Sequence, residues 1–355
     1  MESYYLIVIP LLAFVVTYLI LPVQINLLKK WELFDSLKDH RIHDSFTPSM
    51  GGIAVYVGVH VALIIAVPLA EWISLKYFFI ASSLMFVIGL RDDVLGLSPV
   101  KKLIGQLLPI IIIVLFGKIV VESDLYGFNL TLLPDWIEFL VVIAAFVLIT
   151  NAYNLIDGLD GLAGTIGIII LIFFGIWFFL ADQISLSLIS LCVAGSLLAF
   201  LKFNWQPSRI FMGDTGALLV GFIISFFAIT FLNTIELANA NPALGFRSPV
   251  GALICILIIP VFDTSRVVIF RLRKGMSPFK ADKNHIHHQF LKLGYSHSQA
   301  VIRIAAINLF FIAIAILLRH QPDSVLIPLV VVLCLLINFG LKWAQSNAGT
   351  HPKTS

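Results

Sequence analysis

Charged residues are scarce in this sequence of 355 residues. Asp, Glu, Lys and Arg together make up 12% of the chain, whereas hydrophobic residues make up 59%. An ordinary soluble domain carries about a quarter charged residues, so the composition excludes that class and indicates an integral membrane protein. No polar stretch is long enough to fold alone. We therefore expect one polytopic membrane domain over residues 1–345 and a short polar cytoplasmic tail over 346–355.

Cysteine and nucleotide-binding motifs are also scarce. The three cysteines, Cys192, Cys255 and Cys334, lie inside apolar runs, so neither a disulfide framework nor a zinc ribbon is indicated. The chain has no GxxxxGK[ST] and no GxGxxG after a strand, so any nucleotide must be held by other means. No internal repeat of fixed period is evident, which weakens an inverted-repeat transporter.

Apolar runs of roughly 20 residues, the length that crosses a bilayer as a helix, recur along the whole chain. They predict an all-α bundle of about ten to eleven transmembrane helices. The candidate spans lie near residues 4–28, 51–70, 74–90, 103–121, 134–150, 162–181, 184–201, 215–232, 248–270, 299–318 and 324–344. The first span lacks a basic n-region and a cleavage signal, so we expect it to be retained.

Basic residues are distributed unequally between the two sets of loops. Loops after odd-numbered spans, together with the C-terminus, hold 19 of the 23 Lys and Arg residues. The positive-inside rule predicts that these loops are cytoplasmic and that the N-terminus lies outside. Every acidic or histidine-rich cluster falls on the same, cytoplasmic side.

The most polar membrane-edge stretch is Asn151–Gly164, with the sequence NAYNLIDGLDGLAG. Asn151, Asn154, Asp157 and Asp160 recur every third residue, so on a helix they form one polar stripe. Carboxylates beside a membrane span are costly to bury and usually mark a functional site.

Four further clusters lie in the predicted cytoplasmic loops: Arg41-Ile-His43, Asp92-Asp93, Phe211-Met-Gly-Asp214 and Asp282-Lys-Asn-His285-Ile-His287-His288. Each has an ordinary explanation as well. The paired aspartates could cap a loop, and Asp214 could be a helix N-cap. The histidine cluster could hold zinc, face phosphates, or touch anionic lipid; the missing Cys and Glu ligands argue against zinc. Asp263, within the ninth span, could simply pair with Arg266.

Together the clusters indicate more than each does alone. Carboxylate and amide oxygens suit Mg²⁺ or Mn²⁺, while Arg, Lys and His suit a pyrophosphate. This combination predicts phosphoryl transfer at the membrane surface, where a protein mainly positions groups and neutralises charge.

The same motifs, in this order, resemble those of the polyprenyl-phosphate N-acetylhexosamine-1-phosphate transferases. The resemblance covers nearly the whole chain and is carried by Asp92-Asp93, Asn151–Gly161, Phe211–Asp214 and His285–His288. Ile286 interrupts the consecutive histidine triplet that is usual in the peptidoglycan branch, so the chain looks like the N-acetylglucosamine branch.

The resemblance implies transfer of N-acetylglucosamine 1-phosphate from UDP-N-acetylglucosamine to undecaprenyl phosphate, with release of UMP. It implies a multi-pass protein of the bacterial inner membrane whose active site faces the cytoplasm. We expect no nucleic-acid partner, and a homodimer is a candidate assembly. By family analogy the roles are as follows: Asp214 and Asn154 bind Mg²⁺ (or Mn²⁺); Phe211 and Asp160 lie along the uracil; His285, His287, His288, Arg41 and His43 face the phosphates; Asp92, with Asp93 and Asp157 nearby, engages the lipid phosphate.

Three alternatives remain open at this point. A peptidoglycan-type transferase would use the same chemistry on UDP-N-acetylmuramoyl-pentapeptide. A cation-coupled transporter would account for the many membrane acids, and a lipid-binding structural protein would need none of them for catalysis. The sequence does not distinguish the polysaccharide pathway that the product would enter.

Overall fold

Long apolar runs of the sequence form long helices in the computed structural model, which describes residues 4–31, 47–67, 69–119, 134–238, 245–276 and 285–348. Within these ranges the chain is helical and contains no strand. The helices are α1 (Tyr5–Lys30), α2 (Gly52–Ala66), α3 (Leu69–Leu95), α4 (Pro99–Leu115), α5 (Asp135–Leu155), α6 (Leu162–Leu180), α7 (Ile184–Asn204), α8 (Gly213–Ala238), α9 (Pro249–Ile256), α10 (Ile258–Arg273), α11 (Ile286–Lys292), α12 (His297–Leu317) and α13 (Asp323–Ala348).

The helices confirm an all-α polytopic membrane protein. Seven described helices are long and apolar enough to cross a bilayer, namely α1, α5, α6, α7, α8, α12 and α13, and the α9–α10 pair would make an eighth. The remaining predicted spans also occur as helices, α2, α3 and α4, of which α2 is a shorter apolar helix of 15 residues. The orientation of the bundle in the membrane stays a prediction.

The ninth predicted span is not one straight helix. α9 and α10 meet at Leu257 with a bend of 85°. Pro260 explains the break, because its ring has no N–H to donate to the carbonyl of Ile256, four residues earlier. That carbonyl instead accepts a hydrogen bond of 3.1 Å from Asn308 Nδ2 on α12, a side chain that is fully buried. The single span predicted over residues 248–270 is therefore two helices that meet at a sharp bend.

Helix α8 lies at the centre of the bundle. Of its most apolar 18-residue window, 94% is buried, compared with 17% for α13. It packs against α2, α3, α5 and α6. Because α8 begins at Gly213-Asp214, the central helix carries a carboxylate at its N-terminal end.

Two glycines allow the neighbours of α8 to come very close to this end. A Cβ on Gly52 would overlap the backbone of Gly216, and a Cβ on Gly89 would lie 2.5 Å from the carbonyl oxygen of Asp214. Only a residue without a side chain fits such backbone contacts. The N-terminal end of α2 and the C-terminal end of α3 are therefore held directly against the first turn of α8.

Candidate active site

Asp214 stands in the first turn of α8, where the ends of several helices meet. Its Oδ1 accepts a hydrogen bond of 2.6 Å from Asn154 Nδ2, at the C-terminal end of α5, and a short ion pair joins the same oxygen to Lys102 Nζ. The Asp214 side chain is 33% exposed. It is thus fixed by two partners and still accessible to a ligand.

Lys102 connects Asp214 to Asp92. Its Nζ lies 3.0 Å from Asp92 Oδ2, while Asp92 Oδ1 accepts a hydrogen bond of 2.6 Å from the backbone N–H of Leu97. Asp92 is only 8% exposed. The two carboxylates therefore hold one ammonium group between them, where residues of α3, α4 and α8 meet.

Asp93 has a different environment from its neighbour. Its Oδ1 accepts the backbone N–H of Asp214 at 2.8 Å, and its Oδ2 accepts the backbone N–H of Thr215 at 2.9 Å and the Thr215 hydroxyl. The first N–H groups of a helix have no partner within the helix, and a carboxylate satisfies them well. Asp93 thus caps α8 from α3 and fixes the backbone that carries Asp214.

The approach of Asp93 depends on Gly213. This residue has φ +72°, in the left-handed region, and a Cβ there would lie 2.6 Å from Asp93 Oδ2 and 2.6 Å from Ser49 Oγ. Glycine adopts this conformation without the steric cost that other residues incur. The Gly-Asp pair of the sequence motif is therefore a turn and an acid that belong together.

In the Asn151–Gly164 stretch α5 ends at Leu155 and α6 begins only at Leu162, so turns separate the two helices. The predicted stripe is consequently divided between a helix and the turns that follow it. Asn151 exchanges amide hydrogen bonds with Gln106 on α4, at 2.7 and 3.3 Å, so this pair joins two helices. Asp157 is half-buried in the first turn after the helix.

The end of the stretch is fixed by Asn204, the last residue of α7. Its Oδ1 accepts the backbone N–H of Gly161 at 2.9 Å, and its Nδ2 donates to the carbonyl of Ile210 at 2.9 Å. Just before Gly161, Asp160 Oδ2 lies 3.3 Å from His297 Nδ1 at the start of α12. Asn204 therefore holds the turn that carries Asp160 against the loop that leads to Phe211.

Phe211 lies beside the segment that precedes α2. Its N–H donates to the carbonyl of Pro48 at 2.9 Å, and its own carbonyl accepts the N–H of Gly51 at 2.8 Å. Gln24 on α1 donates to the carbonyl of Met50 at 2.6 Å. The segment of residues 47–51 that leads into α2 is therefore attached to the motif that ends at Asp214.

The histidine motif forms the other half of the site. His285 Nδ1 lies 2.8 Å from Asp263 Oδ2, and the His287 and His288 rings lie 4.3 Å apart. His287 is 2% exposed, and its Nε2 would lie 2.9 Å from a Cβ on Gly158. Burial, with a smaller contribution from nearby His288, lowers the pKa of His287 to about 3, so this ring is neutral at physiological pH.

The structure thus brings most of the predicted residues to one end of the bundle. Asp92, Asp93, Asn154 and Asp214 belong to one connected network, and one turn of chain leads from Asn154 to Gly158, against which the histidine motif packs. Arg41 and His43, and Asp282 of the histidine cluster, lie outside the described residues.

Sequence reasoning missed the central position of Lys102. In the sequence it stands in a Lys-Lys pair directly before the fourth predicted span, and no role in the site is predicted for it. A usable signal was present, because Lys102 lies in the first turn of α4, where a positive charge opposes the helix dipole. Such a lysine is expected to have a carboxylate partner from elsewhere, and here it has two.

The donor set near Asp214 is compatible with a hard divalent cation. Among the described residues no group of three or more His, Cys, Asp or Glu side chains could hold a metal ion. Mg²⁺, however, is commonly bound by one or two carboxylates together with substrate phosphates. Asp214 and the Oδ1 of Asn154 supply such oxygens, and the Lys102 ammonium already lies between the carboxylates of Asp214 and Asp92.

Comparison with known proteins identifies the family of the chain. Residues 75–232 match the family model described as "Glycosyl transferase family 4", a range that contains Asp92, Asn154 and Asp214. The chain is 31% identical over 334 residues to a Bacillus subtilis protein named "Probable undecaprenyl-phosphate N-acetylglucosaminyl 1-phosphate transferase", covering 92% of this chain and 88% of that protein.

Two further relatives extend the comparison. An Escherichia coli K12 protein, "Undecaprenyl-phosphate alpha-N-acetylglucosaminyl 1-phosphate transferase", is 30% identical over 89% of this chain and 85% of its own length. A Mycolicibacterium smegmatis protein, "Decaprenyl-phosphate N-acetylglucosaminephosphotransferase", is 32% identical over 75% of this chain and 70% of its own length. The family resemblance inferred from the motifs is confirmed.

Proposed function

The chain belongs to glycosyl transferase family 4, and we propose that it transfers N-acetylglucosamine 1-phosphate from UDP-N-acetylglucosamine to undecaprenyl phosphate in the bacterial cell membrane. UMP is the second product. The names of the relatives support the donor sugar and the polyprenyl phosphate acceptor. The network Asp92–Lys102–Asp214–Asn154 is the observation on which the proposal depends, because it combines a fixed cation with carboxylate and amide oxygens.

The reaction exchanges one phosphoanhydride bond for another. An oxygen of the lipid phosphate attacks the sugar-linked phosphorus of the UDP-sugar, and the bond from that phosphorus to the bridging oxygen breaks. UMP leaves with the electron pair. A phosphate monoester has its second pKa near ~6, so the acceptor is already mostly a dianion at neutral pH. The protein therefore needs to position the reactants and neutralise their charge more than to remove a proton.

Lys102 is the residue that we assign to charge neutralisation. Its ammonium group is held between Asp92 and Asp214, and its side chain is 17% exposed. Asp92 shares its other oxygen with the Leu97 N–H, so its carboxylate is already committed to two partners. In this proposal Asp92 orients Lys102 toward the lipid phosphate, and the electrostatic contribution comes from the lysine.

Mg²⁺ or Mn²⁺ would be held by Asp214, with the amide oxygen of Asn154 as a further ligand. When bound, the cation supplies charge neutralisation for the phosphates and holds them in register. Asp93 does not contact the reactants in this proposal. It fixes the N-terminal turn of α8, and therefore the position of the Asp214 carboxylate.

The nucleotide is assigned to the remaining predicted residues. Asp160 and Phe211 lie along the uracil, on segments that Asn204 joins. We assign His285 and His288 to the pyrophosphate, and Arg41 and His43 keep the phosphate role that the family resemblance implies. His287 packs against Gly158 as a neutral ring, so its role is to keep the motif close to the Asp157 turn.

The proposal is tested by UMP release from a panel of UDP-sugars. Purified protein receives undecaprenyl phosphate, Mg²⁺ and either UDP-N-acetylglucosamine, its galactose epimer or UDP-N-acetylmuramoyl-pentapeptide. We expect release with the first donor, and near-complete loss in Asp214→Asn because the metal-binding carboxylate is removed. Asp182→Asn is the matched control, since Asp182 is an exposed carboxylate at the opposite end of the bundle, between α6 and α7.

Each alternative predicts a different result in the same assay. Release only from the muramoyl-pentapeptide donor would indicate the peptidoglycan reaction. Metal-dependent flux in vesicles without any UMP would indicate a transporter. Full activity in Asp214→Asn would refute the metal assignment.

A further inference from the structure

Asp263 is a buried acid in α10 that the proposed function leaves without a role. It is 1% exposed and follows the bend between α9 and α10 by six residues. Removing a carboxylate from water costs several kcal/mol unless its partners replace the lost hydration. The partners of Asp263 therefore indicate what this costly group is for.

Three donors converge on Asp263. Its Oδ2 lies 2.8 Å from His285 Nδ1, and its Oδ1 accepts the backbone N–H of Ile286 at 2.7 Å and Arg266 Nη2 at 2.8 Å. Arg266 lies one turn further along the same helix and matches the ordinary ion pair expected from the sequence. The other two donors are 22 and 23 residues away in sequence, so they tie two separate segments together.

Both distant donors belong to the start of the histidine motif. Ile286 is the first residue of α11, whose own preceding residue, His285, provides no side-chain cap. Asp263 satisfies that free N–H from outside the helix. A carboxylate on Nδ1 of a histidine fixes the ring orientation and leaves Nε2 as the nitrogen for a ligand.

The orientation of His285 affects the rest of the motif. Its ring is parallel to that of His287, within 4°, with ring centroids 5.7 Å apart. His287 in turn packs against Gly158 in the turn after α5. A displacement of His285 would therefore be passed to the surface where the motif meets the Asn151–Gly164 stretch.

We propose that Asp263 is a positioning residue that sets the histidine motif for the phosphates of the nucleotide sugar. It acts through His285 and the first turn of α11, and it contacts neither substrate nor metal. This inference rests on the proposed function for the identity of the ligand. The hydrogen bonds between Asp263 and the start of the histidine motif are present whatever the ligand is.

The first test is a double-mutant cycle on transfer activity. Asp263→Asn is expected to lower kcat/KM for the UDP-sugar about 10–100-fold. This is the range seen when a hydrogen-bonding partner that orients a metal-binding residue is removed. Because part of the action of Asp263 runs through His285, the double variant with His285→Ala should lose clearly less activity than the product of the two single losses. Independent effects that multiply would overturn the proposal.

Asp323→Asn is the matched control for burial. Asp323 is 8% exposed and accepts the backbone N–H of Gly251 at 2.7 Å, so it is a second buried carboxylate that joins two segments. Its loss should lower thermal stability and leave kcat/KM per folded protein unchanged. If Asp263→Asn behaves in the same way, Asp263 is structural only and the proposal fails.

The second test does not require activity. Hydrogen exchange followed by mass spectrometry on residues 285–292 should be faster in Asp263→Ala than in Asp323→Ala, because the Ile286 N–H then loses its side-chain acceptor. Unchanged exchange in the Asp263 variant would overturn the proposed anchoring. If exchange differs between the variants as expected but the wild-type protein releases no UMP, only the proposed function is overturned. If Asp263→Asn does not fold, Asp263→Glu keeps the charge and allows the same cycle, again with no additivity expected.

Discussion

Replacing Gly213 by alanine tests whether the geometry around Asp93 fixes Asp214. The added Cβ would lie 2.6 Å from Asp93 Oδ2 and 2.9 Å from the backbone nitrogen of Met50, distances at which one of the groups must move. Gly213 also has φ +72°, a conformation that costs an L-residue about 1–2 kcal/mol. The change therefore combines backbone strain with displacement of the Asp93 carboxylate.

The magnitude follows from the hydrogen bonds that Asp93 would lose. Its bonds to the N–H groups of Asp214 and Thr215 measure 2.8 and 2.9 Å, and a hydrogen bond to a charged group contributes about 1.5–3 kcal/mol. Loss of one such bond together with the strain gives about 2.5–5 kcal/mol of destabilisation. A shift of Asp214 by about 1 Å should also lower transfer about 100-fold.

Gly275→Ala is the control, because Gly275 has a similar φ of +66° but open space around it. It should show only the backbone strain, and full activity. Thermal unfolding in detergent and UMP release measure the two effects. If both variants lose the same stability and retain the same activity, Asp93 does not position Asp214 and the reasoning is refuted.

Two further variants test contacts that are structural in this account. Asn151→Ala and Gln106→Ala should each lower stability by about 1 kcal/mol, with little change in activity per folded protein. Because the two amides pair with each other, the losses should not add in the double variant. Additive losses would contradict the pairing. Asn308→Ala should lower the unfolding temperature, since it leaves the buried carbonyl of Ile256 without its donor at a cost of about 1–3 kcal/mol, and an unchanged unfolding temperature would argue against that role.

Hydropathy predicted the helices well, because a membrane span needs a long apolar run and the chain has few other runs of that kind. It did not predict the bend at Leu257. Pro260 lies at the right position to cause it, but Pro10, Pro22, Pro109 and Pro328 lie within helices that continue past them. A proline in a span permits a break, and only the packing partners of the freed carbonyl decide whether one occurs.

The sequence indicated which residues belong to the candidate site better than it indicated what each of them does. The motifs gave Asp92, Asp93, Asn154 and Asp214, since polar groups at membrane edges are few and each is informative. Sequence spacing could not show that the two adjacent aspartates have separate tasks, one on Lys102 and one on the backbone of α8. The Asp93 contact joins residues 121 apart in the chain, and Lys102 contacts Asp214 across 112 residues.

Asp263 illustrates the same limit. Within the sequence its obvious partner is Arg266, one turn away, and this ion pair is present. The contacts with His285 and Ile286 arise only because α10 turns away from α9 and meets the start of α11. A buried acid in a predicted span is a candidate functional group, but its distant partners could not be named from spacing alone.

The identity of the released nucleotide tests the central claim most directly. Purified protein is incubated with undecaprenyl phosphate, UDP-N-acetylglucosamine and Mg²⁺, and nucleotide and lipid products are identified by mass spectrometry. Transfer of the sugar phosphate predicts UMP and a lipid-linked sugar diphosphate in equal amounts. Release of UDP with a lipid-linked sugar monophosphate would contradict the account, because the sugar alone would then have been transferred.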